Sequence, residues 1–424
     1  MISSRIAPSL VLAAALLAAC GSTRSSGFEE SGGGAGGGQG AGAPSDGFGQ
    51  GGAEKAEPVA IGALTGTVLA PEGTVPVSGA LVYLASAAPA PQPQGVHCDK
   101  CVALPAGTPY TYSKADGTFE LPVYAEGAQV LVVQKGQFRR VRPVTVAAGK
   151  APLDKALTTL PGAPDPQNGD EIPRIAVTHG GFDKIQLSLK KLGISAFDRF
   201  GKDLLFDPPG LPPSVGQPYD LVDSASRLAE YDIVLLPCSM GGTSCGGPGN
   251  AVKDNLRKFV AAGGKLYVTD YSYEYVNQTW PGYITWKDAD GKDMTSSSPI
   301  GAACQESAYT KPGKAEDKGL GDWLSAIGEG SFDLRDSWTK ISKVNPMQAT
   351  DENGKSVTVT PKVWMTSQGN GPATVSFEYS CGRVLFSTYH AEGGAHQALL
   401  AQEKALLYVL LEVGVCVGQP PPPR

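Results

Sequence analysis

The spacing of apolar residues changes once along the chain, near residue 172. Between 58 and 159, apolar and polar residues alternate in short runs separated by turn residues, as in Ala80–Leu84 and Gln129–Val133. Short strands at this spacing are typical of an all-β sandwich. The Pro- and Gly-rich segment 160–172 indicates a linker to a second domain.

From 173 to 417, continuous apolar runs alternate with amphipathic stretches. This order predicts a doubly wound, mainly parallel sheet. The expected fold is therefore multidomain, with an N-terminal all-β sandwich followed by an α/β domain. The predicted strands include Arg174–Thr178, Tyr231–Pro237 and Lys265–Asp270, and the predicted helices include Asp183–Leu192, Ala251–Ala261 and Gln397–Val413.

Ligands of doubly wound sheets bind at the carboxyl ends of the strands. The residues that follow the predicted strands are therefore pocket candidates, namely His179, Cys238, Asp270 with Tyr271, and the loop after Phe386. Whether these residues meet in one open pocket depends on how the sheet folds.

Three segments resemble the class I glutamine amidotransferase-like, flavodoxin-like superfamily: Tyr231–Pro237, Phe259–Val268 and Val384–Glu392. The likeness covers roughly residues 172–416, with a large insertion at about 280–371. The resemblance implies an acyl-transfer site with three parts. A thiolate sits on a tight turn, a histidine takes its proton, and a carboxylate orients the histidine.

His390 and Glu392 match the histidine and carboxylate positions of that site. The turn itself, Thr269–Ser272, contains no cysteine, and Cys238 lies at the end of the preceding strand. The leading hypothesis is therefore a noncatalytic binding or scaffold protein with a degenerate amidotransferase-like domain. The alternative is a hydrolase that uses Ser272 or Cys238 as a rearranged nucleophile, with His390 as base and Glu392 as its orienting group.

The segment 58–159 resembles the carboxypeptidase regulatory-like domain, a transthyretin-like sandwich, at Gly66–Val68, Pro76–Val82 and Ala115–Leu121. It departs from that family in an insertion at about 87–107. Related sandwiches are grouped with carbohydrate-binding folds, so the resemblance implies possible glycan or protein contact. Tyr110, Tyr112 and Tyr124 are candidates for stacking on sugars, and ordinary core or surface positions are the alternative.

The N-terminus has the plan of a secretory signal, with one basic residue, Arg5, before the apolar run Ile6–Ala19. That run is shorter than the roughly 20 residues that span a bilayer. Leu17–Cys20 resembles the lipobox of bacterial lipoproteins, which implies a signal peptide over 1–19 and acylation of Cys20. Gly21 suggests the outer membrane under that family's sorting rule. An ordinary signal with a chance cysteine is the alternative.

Residues 20–57 are mostly Gly, Ser and Ala, so they predict a disordered tether behind the lipid. The formal net charge is −6 and no basic stripe stands out, which argues against a nucleic-acid partner. The expected partners are the membrane, through the lipid, and a glycan or an envelope protein. The tail 418–424 is expected to be extended.

Seven cysteines remain for an oxidising compartment, and the odd number leaves at least one free or paired between chains. The candidates for disulfides are Cys98, Cys101, Cys238, Cys245, Cys304, Cys381 and Cys416. We expect a local Cys98–Cys101 loop in preference to zinc, because His97 is the one further ligand nearby. Cys381 and Cys304 are both candidate partners for Cys416, and the connectivity stays open.

Two acidic segments are expected to be turns. Asp288–Asp293 has alternating carboxylates around Gly291, but it lacks the glutamate that completes the helical calcium loop. A polar hairpin is therefore preferred there, and Asp351–Gly354 is a turn between strands. No metal site and no cofactor are expected.

Overall fold

The computed structural model describes residues 59–98, 102–202, 207–351, 353–394 and 396–412. The predictions for the signal peptide, Cys20, the tether, Cys101, Cys416 and the tail fall outside these residues. The described part is built mostly from strands, with one large sheet and few helices. None of its helices is both long and apolar enough to cross a bilayer.

Two small sheets make up the N-terminal part. Its elements are β1 (Gly62–Thr67), β2 (Leu81–Ala85), β3 (Tyr110–Tyr112), β4 (Thr118–Val123), β5 (Gly127–Lys135), β6 (Phe138–Val146), β7 (Gly149–Pro152), α1 (Lys155–Thr158) and β8 (Asp170–Glu171). One sheet has the order β4-β1-β7 and the other has the order β3-β2-β5-β6-β8.

The two small sheets share a hydrophobic core. Leu64 and Phe119 from the three-stranded sheet belong to the same buried cluster as Val82, Leu131 and Val133 from the five-stranded sheet. Successive side chains of a strand point to opposite faces, so the alternation in the sequence places these residues on one side.

The connection into β4 is an Asp-Gly turn at Asp116 and Gly117. Asp116 Oδ1 accepts hydrogen bonds from Thr118 N at 3.0 Å and from Thr118 Oγ1 at 2.6 Å. Gly117 has a φ of +75°, and a Cβ there would lie 2.7 Å from the carbonyl oxygen of Val68. Only glycine fits both the left-handed conformation and this close approach.

Part of the predicted linker is a strand. β8 pairs antiparallel with β6, and Asp170 forms ion pairs with Arg140 and Arg142 at 2.8 Å each. The pairing of β8 with β6 is stabilised by charged cross-strand pairs and not by apolar contacts. The apolar pattern that marks strands is therefore missing at this position in the sequence.

A larger sheet, the two-stranded sheets β14-β17 and β18-β19, and seven α-helices make up the rest of the described residues. The strands are β9 (Ile175–Thr178), β10 (Asp198–Phe200), β11 (Ser214–Gly216), β12 (Ile233–Leu236), β13 (Lys265–Thr269), β14 (Ile284–Trp286), β15 (Tyr309–Ala315), β16 (Phe332–Ser337), β17 (Ile341–Val344), β18 (Met347–Thr350), β19 (Ser356–Val359), β20 (Lys362–Ser367), β21 (Gly371–Tyr379) and β22 (Gly382–Ser387). The helices are α2 (Ile185–Lys191), α3 (Pro218–Val222), α4 (Ala225–Leu228), α5 (Asn250–Ala261), α6 (Glu274–Asn277), α7 (Lys318–Ala326) and α8 (Ala401–Glu412).

Ten of these strands form one mixed sheet, in the order β11-β10-β9-β12-β13-β22-β21-β20-β15-β16. The pairs from β11 to β22 are parallel, and the pairs from β22 to β16 are antiparallel. The mainly parallel sheet predicted from the sequence therefore describes only one half of it. Strands β15, β16 and β20 come from the predicted insertion, and β20 satisfies the backbone groups that β21 would otherwise leave at an edge.

Helix α5 packs its apolar face against this sheet. Val252, Leu256 and Val260 on α5 are buried in the same cluster as Leu236 on β12 and Val268 on β13. Residues spaced by three or four positions lie on one face of a helix, which explains why the sequence predicts α5 so closely.

The small sheets pack directly against the large one's helices. Trp323 on α7 donates its indole N–H to the carbonyl oxygen of Pro76 at 2.8 Å and stacks near Tyr408 on α8, with ring centroids 5.2 Å apart. The amide of Glu72 donates to the carbonyl of Leu192 at 3.1 Å. One continuous hydrophobic cluster contains residues from both parts.

Candidate functional site

Three chemically reactive side chains meet where neighbouring parallel strands end. Cys238 follows β12, Asp270 follows β13 and His390 follows β22, and these strands are adjacent in the sheet. One ligand-capable atom from each lies within 4.8 Å of the others. We call these three residues the strand-end cluster. His179, which follows β9, is half-buried and is not a member of the cluster.

Asp270 occupies the tight turn at which the amidotransferase resemblance implies a nucleophile. Its φ of +47° is left-handed, a conformation that costs a non-glycine residue about 1–3 kcal/mol. Its carboxylate accepts hydrogen bonds from Trp338 N at 3.0 and 3.1 Å and from Thr339 Oγ1 at 2.9 Å. Burial raises the pKa of Asp270 to about 6, while the contacts with His390 and Thr339 oppose that rise.

His390 and Asp270 form a buried charge contact. His390 Nε2 lies 3.3 Å from Asp270 Oδ2, and neither side chain is more than 4% exposed. Burial lowers the pKa of His390, but Asp270 and Cys238 outweigh burial and raise that pKa well above its ordinary value. A raised pKa favours the protonated imidazole over the neutral form that a general base requires.

Cys238 is a buried thiol held beside this pair. Burial raises its pKa, and the contact with His390 only partly offsets the rise. Its backbone N–H donates to Thr269 Oγ1 at 2.8 Å, which ties the end of β12 to the end of β13. Since a thiolate is the nucleophilic form of cysteine, this thiol is in its unreactive form.

Glu392 does not orient His390. Its carboxylate accepts hydrogen bonds from Lys191 Nζ, from His396 Nδ1 at 2.7 Å and from Gly394 N at 2.8 Å. Burial raises the pKa of Glu392, but Lys191 and His396 outweigh burial, so the pKa is lowered. In the sequence Glu392 follows His390 by two positions, yet the carboxylate beside His390 belongs to Asp270.

Ser272 has both of its hydrogen-bonding capacities occupied. Its Oγ donates to the carbonyl oxygen of Pro237 at 2.7 Å and accepts from the amide of Met240 at 3.0 Å. The side chain is 1% exposed. Tyr271, a pocket candidate, donates its hydroxyl to the carbonyl of Gln305 and packs on Trp338, with ring centroids 5.5 Å apart.

Asp183 is a buried residue of this region that the sequence reasoning assigned only to a helix. Its carboxylate accepts hydrogen bonds from Thr269 Oγ1 at 2.8 Å and from the amides of Ala391 and Glu392 at 3.0 Å each. Burial raises its pKa, opposed by His390 and by the two amides. The feature of the sequence that points to Asp183 is its position shortly after β9, at the carboxyl edge of a parallel sheet.

The cysteine pairing differs from the expected pattern. Cys98 is joined to Cys381, and Cys245 is joined to Cys304. The expected local Cys98–Cys101 loop is therefore wrong, and the two candidate partners of Cys416, Cys381 and Cys304, are bonded to other cysteines. Cys238, one of the candidates, is a free thiol. Folding brings distant chain segments together, which spacing along the sequence does not show.

The two acidic segments are turns, as predicted. Asp288 Oδ1 accepts the amide of Lys292 at 2.8 Å, and Lys287 pairs with Asp293 across the hairpin. Asp351 Oδ1 accepts the amide of Lys355 at 2.8 Å between β18 and β19. The carboxylates of Asp290 and Asp293 form ion pairs with neighbouring lysines.

An open cleft lies apart from the strand-end cluster, beside α6 and the start of the insertion. Its volume is about 580 Å³. The side chains that line it include Lys253, Glu274, Asn277, Gln278, Thr285, Ser296, Ser298 and Ile300. Glu274 accepts the side-chain amide N–H groups of Asn277 and Gln278 at 3.1 Å each, which orients both amides at the wall of the cleft.

No family model and no curated protein matches the chain. Among solved structures, it is similar to a ThuA-like protein from Bacteroides uniformis, at 11% identity and a TM-score of 0.32, over 56% of this chain and 89% of that one. It is similar to a GMP synthase component from Thermoplasma acidophilum, at 8% identity and a TM-score of 0.32, over 56% and 92%.

A third match is Gan42B, a GH42 β-galactosidase from G. stearothermophilus, at 13% identity and a TM-score of 0.28. This chain covers 30% of Gan42B, and 57% of this chain is aligned. The neighbours thus include ThuA-like and amidotransferase-like folds at low identity. At these TM-scores they carry no information on function.

Proposed function

We propose that the chain is a lipid-anchored protein of the cell envelope that binds a ligand without turning it over. The noncatalytic part of this proposal rests on the burial of the strand-end cluster. The relative exposures of its members are 0% for Cys238, 0% for Asp270 and 3% for His390. A catalytic base acts within about 3 Å of the proton that it removes. A substrate has no room to approach these atoms as they are packed.

The place proposed for the ligand is the open cleft. Its volume of about 580 Å³ lies in the range of small-molecule sites. Its lining combines amides and hydroxyls with the apolar side chain of Ile300, which is 65% exposed, and its two charged residues, Lys253 and Glu274, are of opposite sign. Such a surface suits a neutral ligand rich in hydroxyl groups, so we propose a glycan.

Binding of a neutral oligosaccharide array to the purified full-length chain tests this assignment. The double variant Asn277→Ala/Gln278→Ala should weaken binding at least about tenfold, since two lost hydrogen bonds are each worth about 1 kcal/mol. Gln348→Ala, an exposed amide on β18, is the matched control and should bind normally. Absence of binding by the unmodified chain, or full binding by the double variant, contradicts the proposal.

The same array tests the second location for a glycan, the β-sandwich. Tyr112 and Tyr124 are 38% and 40% exposed, which favours this alternative over a purely structural role. If Tyr112→Ala/Tyr124→Ala abolishes binding while the cleft variant retains it, the site lies on the sandwich.

Catalysis is tested separately on the same preparation. We expect no glutaminase, amidase or esterase turnover above the rate of buffer alone. The rival hypothesis, a hydrolase with Cys238 as nucleophile, is favoured by the contact between Cys238 and His390. Turnover that His390→Ala abolishes, or labelling of Cys238 or Ser272 by an electrophilic probe, would establish that rival.

The anchor is tested by metabolic labelling with a radioactive fatty acid. The unmodified chain should carry the label and fractionate with membranes, and Cys20→Ser should do neither. Cys238→Ser is the matched control because it removes a cysteine that stays buried as a free thiol. An unlabelled wild-type chain would remove the lipoprotein assignment and leave the cleft assignment standing.

A further inference from the structure

The strand-end cluster brings three different metal-binding atom types together inside the sheet. Cys238 offers sulfur, Asp270 offers oxygen and His390 offers nitrogen, all within 4.8 Å of one another. The three residues follow adjacent parallel strands, so the sheet itself sets their spacing. None of them lies in a flexible surface loop, because each is buried.

A buried polar atom in this cluster lacks a hydrogen bond. Among the described residues, no acceptor or donor is aligned with His390 Nε2, although Asp270 Oδ2 lies 3.3 Å away. The buried hydroxyls of Ser337 and Thr388 lie beside the hydroxyl of Tyr309, and Ser337 pairs with Tyr389 across a β-bridge. Buried polar groups are rarely left unpaired, so each such group calls for an explanation.

We propose that the strand-end cluster binds one divalent transition-metal ion of the zinc class through Cys238, Asp270 and His390. Thiolate, imidazole and carboxylate are the ligands that zinc takes in proteins. The thiolate argues against calcium and magnesium, which prefer oxygen ligands alone. One thiolate and one carboxylate together balance the charge of a divalent ion, which matters in a buried position.

The surroundings hold the ligands in place. Trp338 N and Thr339 Oγ1 donate to the carboxylate of Asp270, and Thr269 Oγ1 accepts the backbone N–H of Cys238. Hydrogen bonds of this kind orient the ligands of protein metal sites. The ion would therefore join three strand ends in the core, a role that is independent of any ligand in the open cleft.

Cobalt and zinc binding to the purified, chelator-stripped full-length chain test this proposal. One Co²⁺ per chain should bind and give a thiolate-to-cobalt charge-transfer band. X-ray absorption of the Zn²⁺ form should show one sulfur ligand at about 2.3 Å. The second measurement uses the unmodified chain, so it remains decisive even if a variant fails to fold.

Cys238→Ser should remove the charge-transfer band, and Asp270→Asn and His390→Gln should each weaken binding at least about tenfold. His396→Gln is the matched control, because its ring is bonded to Glu392 outside the cluster. Zn²⁺ should raise the thermal midpoint of the unmodified chain but not of Cys238→Ser. A folded chain that binds no metal, a zinc site without sulfur, or a band that survives Cys238→Ser overturns the proposal.

Discussion

At the scale of single residues, Asp183 ties two strand ends together through one buried carboxylate. It accepts hydrogen bonds from Thr269 and from the amides of Ala391 and Glu392. Removing a buried acceptor leaves its donors unpaired, at about 1–3 kcal/mol for each such group. The cost should therefore be largest when the side chain is removed entirely.

We predict that Asp183→Ala lowers the free energy of unfolding by about 3 kcal/mol, and that Asp183→Asn lowers it by less because one acceptor oxygen remains. Urea titration followed by circular dichroism measures both values. Asp322→Ala, an exposed carboxylate on α7, is the control and should change stability by no more than about 0.5 kcal/mol. Equal effects of all three variants would show that the buried hydrogen bonds do not matter.

The ionisation of Asp170 makes the stability of the fold depend on pH. Burial raises the pKa of Asp170, but Arg140 and Arg142 outweigh burial and lower it. A carboxyl group whose pKa is lower in the folded state stabilises the fold above its ordinary pKa of about 3.9. That stabilisation is lost as the pH falls through the lower folded-state pKa.

We therefore expect Asp170→Asn to lower the thermal midpoint at pH 7, and the difference from the unmodified chain to shrink below about pH 4. Thermal unfolding across this range measures the trend. Asp290→Asn, at a position with 77% side-chain exposure, should show no such trend. A difference for Asp170→Asn that is the same at every pH would contradict the argument.

At the scale of elements, a close contact at the end of α5 positions the insertion of the β-sandwich. Gly263 has a φ of +112°, and a Cβ there would lie 1.9 Å from the carbonyl oxygen of His97. The adjacent Cys98 is bonded to Cys381 in the turn between β21 and β22. Gly263 thus permits both the left-handed turn and the approach of the disulfide.

We predict that Gly263→Ala destabilises the fold by clearly more than the roughly 1–2 kcal/mol that left-handed backbone costs alanine. Gly328→Ala is the matched control, because Gly328 also has a positive φ, +78°, but no atom within 4 Å of a Cβ. Thermal unfolding and free-thiol titration compare the two. Equal destabilisation with an intact disulfide would mean that the contact with His97 is unimportant.

The predictable elements are those whose own residues carry the signal. The apolar face of α5 and the apolar run of β13 were both located from the sequence to within a few residues. The role of Asp270 was not predicted from the sequence, because its neighbours in the site, Trp338 and His390, are brought to it by other strands. Glu392, the orienting group under the alternative hydrolase hypothesis, contacts Lys191 and His396 instead, for the same reason.

At the scale of the whole molecule, the two disulfides close loops of very different length. Cys98–Cys381 spans a sequence separation of 283 residues, and Cys245–Cys304 spans 59. Closing a longer loop restricts the unfolded chain more strongly. The first disulfide also links the two parts of the structure, which share one hydrophobic cluster.

We predict that Cys98→Ser/Cys381→Ser lowers the free energy of unfolding by about 2–5 kcal/mol, and by about 1 kcal/mol more than Cys245→Ser/Cys304→Ser does. Urea unfolding of the two double variants under oxidising conditions provides the comparison. The second variant is the control for the loss of a disulfide as such. The opposite ranking would show that loop length does not govern these contributions.

Local patterns along the sequence located β12, β13 and α5, the Asp-Gly turn before β4 and the two acidic turns, because neighbouring residues decide those features. The predicted acylation of Cys20 also follows from a local pattern. Only the tertiary structure decided the disulfide partners, the antiparallel half of the large sheet and the meeting of Cys238, Asp270 and His390. These features join residues far apart in the chain, and their geometry depends on how the sheet orders its strands.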